Sequence, residues 1–236
     1  MSVRDLAPVV LLPGLLDDIQ MWRHQLDHLG DVARPIAVDL LDQETVGDGA
    51  ARVLDTISGS FALVGFSMGG YVAFEILRRA RERVTKLALI GTSARADNEE
   101  RTADRHRQIA LAQSGKYPAI VDQALPNVIH PSRHNDEALM TELRTMALRV
   151  GAEAFVRQQR TIMSRPDSRP DLAAIDCPTL VICGRQDTLI PPEHSEEMGD
   201  GISGARVTLI EDCNHYAPME RPHAVTALLQ QWLRYG

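Results

Sequence analysis

One passage, Gly65-Phe66-Ser67-Met68-Gly69-Gly70, limits what this chain can fold into more than any other. Before it stands Phe61-Ala62-Leu63-Val64, an apolar run of the kind that forms a buried strand. After it the period changes. Val72, Ile76 and Leu77, with Tyr71 and Phe74 beside them, space out as the apolar stripe of an amphipathic helix. A strand that becomes a helix between Gly65 and Gly69 must hold its central residue in a strained backbone and lift that side chain above the sheet. Glycine is required on either side because a Cβ there would strike the neighbouring strand or helix. Ser67 is thereby set at a helix N-terminus, whose unpaired N–H groups and positive dipole end favour developing negative charge. The passage reads as a nucleophile elbow with Ser67 as the nucleophile.

The elements around it alternate. Val9-Val10-Leu11-Leu12 is a strand stopped by Pro13-Gly14, and a short helix follows Met21-Trp22. A strand at 34–38, a helix at 45–57, the elbow strand and helix, and a strand at 84–90 complete the first part. Strand and helix in turn call for a parallel sheet with helices on both faces, an α/β fold. From 94 to 175 the strand pattern stops and helical segments take over: a polar one at 99–113, a short one at 117–125, and amphipathic ones at 135–150 and 151–163. Helices inserted between two sheet strands are expected to form a cap over the strands' carboxyl ends. The expected division is a core of 1–93 and 176–236 with a cap of 94–175. The sheet resumes at 177–183 and closes with a strand at 205–210; Pro191-Pro192 and Pro222 open the helices that follow.

A serine hydroxyl needs a base within hydrogen-bond reach, and the base needs a third group to fix its tautomer. In an open parallel sheet the loops after the strands converge on one edge, so candidates should follow strands directly. Asp187 follows the strand ending at Cys183, and His215 follows the one ending at Ile210. The order Ser67, Asp187, His215 is the one a triad on such a sheet requires. Glu211 and Asp212 are rival acids, although they lie too near His215 in sequence to orient it easily. His194 and His223 sit at helix starts; His24, His28, His106, His130 and His134 lie on helices or the expected cap, away from strand ends. The oxyanion needs donors as well. The N–H of Met68 is one; the other is assigned to Leu15 in the turn after the first strand, with Leu16 its near rival.

Composition narrows the partners. A net charge of −7 argues against a nucleic-acid backbone or an anionic membrane surface as ligand. Cys177, Cys183 and Cys213 form no C-x-x-C pair, so neither a disulfide framework nor a zinc site is expected, and no cofactor is implied. The opening residues Met1-Ser2-Val3-Arg4-Asp5 carry no secretory signature, and no apolar run reaches membrane-spanning length. A reducing cytoplasm is the default expectation.

Taken together, Pro13-Gly14-Leu15 with Trp22, the Gly65–Gly70 passage, Gly184-Arg185-Gln186-Asp187, and Asn214-His215-Tyr216-Ala217-Pro218 with Glu220-Arg221-Pro222 resemble the α/β-hydrolase superfamily over essentially the whole chain. Two details depart from that pattern: Pro13-Gly14 stands where His-Gly is frequent, and Asn214-His215 where Gly-His is common. The leading antiparallel hairpin of the family also looks absent or abbreviated. The resemblance is nearest to small capped carboxylesterases, lactonases, thioesterases and carbon–carbon bond hydrolases. It implies a small-molecule ester substrate, and with few aromatics and no evident carboxylate clamp in the chain a small uncharged acyl ester is the first expectation; ligand-sensing relatives are the alternative from another class. Dehalogenases of the fold use an aspartate at the elbow, which Ser67 excludes. The pocket is expected between sheet and cap, lined by Leu16, Trp22, Met140, Met146, Met163 and Leu189; the methionines could equally pack the cap on the core.

Overall fold

Six strands make one sheet in the computed structural model, which describes residues 6–236. Residues 1–5, on which the reading of the amino terminus rests, lie outside the described residues. The strands are β1 (Pro8–Leu12), β2 (Arg34–Ala37), β3 (Phe61–Phe66), β4 (Val84–Ile90), β5 (Thr179–Gly184) and β6 (Arg206–Ile210). They lie in the order β2-β1-β3-β4-β5-β6, and every neighbouring pair is parallel. The chain leaves β1 toward one side for β2 and returns on the other side for β3. That reversal opens a crevice beyond the carboxyl ends of β1 and β3, which is where open parallel sheets take their ligands.

The central strands read as unbroken apolar runs because both of their faces are covered. Side chains alternate between two cores with the strand period of two. Val9, Leu11, Val64, Phe66, Ile90 and Ile182 fall on one side. Val10, Leu12, Leu63, Leu89 and Val181 fall on the other. The first core is closed by α1 (Arg23–His28) and α9 (Pro222–Tyr235), the second by α2 (Val46–Thr56), α3 (Met68–Ala80) and α7 (Pro192–Gly201). A short α8 (Ala217–Glu220) precedes α9.

Between β4 and β5 the chain carries α4 (Glu99–Leu111), α5 (Tyr117–Val128) and α6 (Glu137–Met163). The sequence pattern ends the second of these at Leu125, ahead of Pro126, whereas the structure runs it to Val128. The extra turn is held from outside: the Asn127 carbonyl accepts from the Thr188 hydroxyl and the Asn214 amide, and the Val128 carbonyl from the His215 N–H. The amphipathic segments read as separate helices run together as α6, but Gly151 interrupts them at φ 79, ψ 164. Only glycine enters that region freely, so the direction of the chain changes there. No helix among the described residues is long and apolar enough to cross a membrane.

Candidate active site

β3 ends at Phe66 and α3 begins at Met68, so Ser67 alone makes the turn, with φ 50 and ψ −114. Such a conformation costs a non-glycine residue about 1–3 kcal/mol and persists only where its surroundings hold it. They do so through the backbone: the Ser67 N–H donates to the Ile90 carbonyl (2.9 Å), and the Ser67 carbonyl accepts from the Thr92 hydroxyl (2.8 Å). A Cβ on Gly65 would stand 2.6 Å from the Gly69 carbonyl oxygen, and one on Gly69 would meet the Leu12 carbonyl. These contacts are the physical reason for the glycines around the serine.

Asp187 and His215 come from the loops after β5 and β6. The His215 Nε2 lies 3.0 Å from Ser67 Oγ, and its Nδ1 lies 2.8 Å from Asp187 Oδ2. A carboxylate only accepts, so Nδ1 carries the proton and Nε2 faces the hydroxyl as acceptor. The other carboxylate oxygen, Oδ1, accepts the N–H groups of Leu189 (2.9 Å) and Ile190 (2.8 Å), which fixes the orientation of the acid. All three side chains are buried. Burial disfavours the charged imidazole, but the charge and hydrogen bond of Asp187 outweigh it and hold the His215 pKa above its ordinary value. The rival acids face elsewhere: Glu211 pairs with Arg185, and Asp212 with Arg221. His194 bonds to Ser93, and His24, His28 and His223 group together on the surface, away from Ser67.

The turn after β1 is held by a side chain from the insertion. Leu16 has φ 70, and its N–H donates to Gln158 Oε1 at 3.0 Å. The Gln158 amide reaches back to the carbonyls of Gly14 (3.5 Å) and Asp17 (3.4 Å). Beneath them the Gly14 N–H donates to Asp17 Oδ2 at 3.2 Å. Burial pushes the Asp17 carboxyl up to about 7, with the Tyr216 hydroxyl and His215 nearby acting against that rise. Since the Leu16 N–H is engaged, the neighbouring Leu15 N–H is the one left without a partner among the described residues, as is the N–H of Met68 at the start of α3.

A cavity of about 360 Å³ opens over Ser67 and His215. Leu15, Leu16 and Leu189 line it, with Ile120, Val128 and Phe155 from the insertion. The sequence expectation also placed Trp22, Met140, Met146 and Met163 on this lining; none of the four is there. Trp22 is fully buried beneath, edge-on to Phe66 at 6.5 Å between centroids. Met146 is buried in the core and Met140 packs on it half-buried, so these two join the insertion to the core. Met163 sits half-buried at the end of α6.

Gln158 escaped the sequence reading, although a signal was present. It stands four residues after Ala154 and three after Phe155, on the apolar face of its helix, where an amide is out of pattern. The polar face that α4 turns toward the cavity, Arg101, Arg105 and Gln108, had no comparable signal, since a polar helix reads as a solvated one.

The pattern that describes the alpha/beta hydrolase family matches residues 9–228. A malate-bound structure of a thermophilic esterase from Thermogutta terrifontis superposes with a TM-score of 0.91 at 32% identity, over 97% of this chain and 89% of that one. A pimeloyl-[acyl-carrier protein] methyl ester esterase from Nitrosomonas europaea is 28% identical over 81% of this chain and 77% of its own. The enol-lactonase of Burkholderia xenovorans LB400, at 24% identity over 98% of this chain and 93% of its own, shares the fold with a TM-score of 0.87. The match across nearly the whole chain, on a parallel sheet of this order, establishes that the protein belongs to the α/β hydrolase family.

Proposed function

We propose that the protein is a serine hydrolase of small carboxylic esters, working through an acyl-enzyme on Ser67. The observation that carries this reading is the unbroken hydrogen-bonded path from Ser67 Oγ through His215 to Asp187. His215 Nε2 takes the hydroxyl proton as Oγ attacks the ester carbonyl, and Asp187 stabilises the imidazolium that forms. The N–H groups of Leu15 and Met68 receive the oxyanion. The imidazolium then protonates the departing alcohol. Water repeats the sequence on the acyl-enzyme and releases the acid. An esterase at 32% identity and a methyl ester esterase at 28% support ester chemistry for this site.

The test is a fluorophosphonate probe followed by peptide mapping, beside an assay with p-nitrophenyl esters of increasing chain length. One adduct, on the peptide holding Ser67, should form in step with loss of turnover. A protein that neither labels nor turns over any ester overturns the proposal.

Gln158 acts here as a positioning residue for the Leu15–Leu16 turn. Gln158→Leu keeps the volume and removes the bonds to the Leu16 N–H and the Gly14 and Asp17 carbonyls. One oxyanion donor is worth about 10²–10³ in rate, so loosening its turn should lower kcat roughly ten- to hundredfold. KM should change less than kcat. Equal losses in kcat and in thermal stability of the fold would assign Gln158 a purely structural role.

A further inference from the structure

The two walls of the cavity differ in kind. α4 presents Arg101, Arg105 and Gln108, spaced by four and three residues along one helical face. α5 and α6 contribute Ile120, Ala124, Val128 and Phe155, with the uncharged amides Gln123 and Asn127 among them. α4 buries none of its residues, so packing does not explain what it turns toward the cavity. No aspartate or glutamate is on the lining among the described residues.

The charges on the polar wall are not equivalent. Arg105 is engaged with Asp97 (2.5 Å) and Gln159 (2.8 Å), and Gln108 accepts from Gln159 at 2.6 Å. Residues 94–175 contain eleven arginines, and ten of them form an ion pair with a carboxylate. Arg101 is the exception among the described residues, and it is on the cavity. Glu99 and Glu100, beside it on the same helix, form no ion pair with it. Among the described residues its guanidinium makes one hydrogen bond, from Nη2 to the Leu189 carbonyl at 3.2 Å. A guanidinium has five N–H donors, so most of its capacity is uncommitted. The same Leu189 donates its N–H to Asp187 Oδ1, which ties the position of Arg101 to that of the acid behind His215.

We infer that the substrate is an ester whose far end carries a carboxylate, and that Arg101 receives it. The simplest such molecule is a monoester of an α,ω-dicarboxylic acid. The inference rests on the hydrolase reading above and names its substrate class. The scissile carbonyl lies at Ser67, the methylene chain lies on the apolar wall, and the carboxylate meets the guanidinium fork. One uncommitted cation matches one singly charged group, and the fork accepts a carboxylate through two parallel hydrogen bonds. A neutral ester of equal length leaves that fork in water and gains nothing from it.

The test compares monomethyl with dimethyl esters of the diacids from succinic to suberic, followed by proton release at fixed pH. At the best chain length the wild-type kcat/KM for the monoester should exceed that for its diester by roughly ten- to hundredfold, the range of a charge-assisted hydrogen bond. Arg101→Gln should bring the ratio close to one, mainly through the monoester KM, and Arg101→Glu should invert it. No preference at any length, or a preference that survives Arg101→Gln, overturns the inference. If no ester of either kind turns over and Ser67 does not label, the hydrolase reading is what has failed. Calorimetric titration of the monoesters into wild type and Arg101→Gln then decides the anion site: tenfold weaker binding to the variant supports it, and equal or absent binding ends it.

Discussion

Ser67→Ala is expected to lower kcat toward esters by roughly 10⁴–10⁶-fold and to abolish fluorophosphonate labelling. The size of the effect follows from what the substitution removes. Among the described residues the hydroxyl oxygen has one partner, His215 Nε2 at 3.0 Å, and in the proposed mechanism it is the attacking atom. The turn itself is held through the backbone of residue 67, by Ile90 and Thr92, and alanine keeps both bonds. Alanine also meets the same penalty as serine at φ 50. The variant should therefore fold with a thermal midpoint close to that of wild type while turnover disappears. A folded variant whose activity stays within tenfold of wild type would assign the chemistry to another group.

The second large effect is expected at Asp187. In Asp187→Asn the oxygen must continue to accept from the Leu189 and Ile190 N–H groups, so the amide nitrogen turns toward His215. An amide NH₂ only donates. It forces the imidazole proton onto Nε2, where the ring faces Ser67 as a donor and cannot take its proton. A wrong tautomer of this kind costs roughly 10³–10⁴ in kcat. The pH profile gives a second readout. Burial alone would lower the His215 pKa; the Asp187 charge and hydrogen bond reverse that and raise it. In the proposed mechanism the neutral ring is the working form, so wild-type kcat/KM should climb with pH through a midpoint above the ordinary histidine value of about 6.5. Without the carboxylate, burial is opposed only by the lesser pull of Asp17 and Glu220, and the midpoint of the residual activity should fall. A profile that keeps its midpoint in Asp187→Asn would separate the acid from the histidine.

What was legible in the chain was what local pattern enforces. The doubly apolar strands, the glycines packed against Leu12 and Thr92, and the placement of Asp187 and His215 after strand ends all follow from short-range geometry. The helical stretch between β4 and β5 was legible for the same reason, through its period. What the pattern did not carry was the direction in which the inserted helices face. Met140 and Met146 are apolar on amphipathic helices, and nothing in their spacing tells a core from a pocket. Trp22, expected in the pocket and matched to the family together with Pro13-Gly14-Leu15, is fully buried and packs edge-on to Phe66 instead. Arg101 and Gln158 act across long sequence separations, against Leu189 and Leu16, and such pairings are set by tertiary packing alone.

The hydrogen bonds that join Asn127 and Val128 to the loops of Thr188, Asn214 and His215 carry one more consequence. The end of α5 is anchored to the moving parts of the chemistry, so it cannot swing aside to admit a molecule without pulling the imidazole off the serine. On the other flank Leu111 and Leu189 are exposed, and α4 meets the loop after β5 there through a side-chain bond, from Arg101 to the Leu189 carbonyl. Because those anchors on α5 are backbone carbonyls, its side chains can change without loosening them, while the path of its last turn stays fixed.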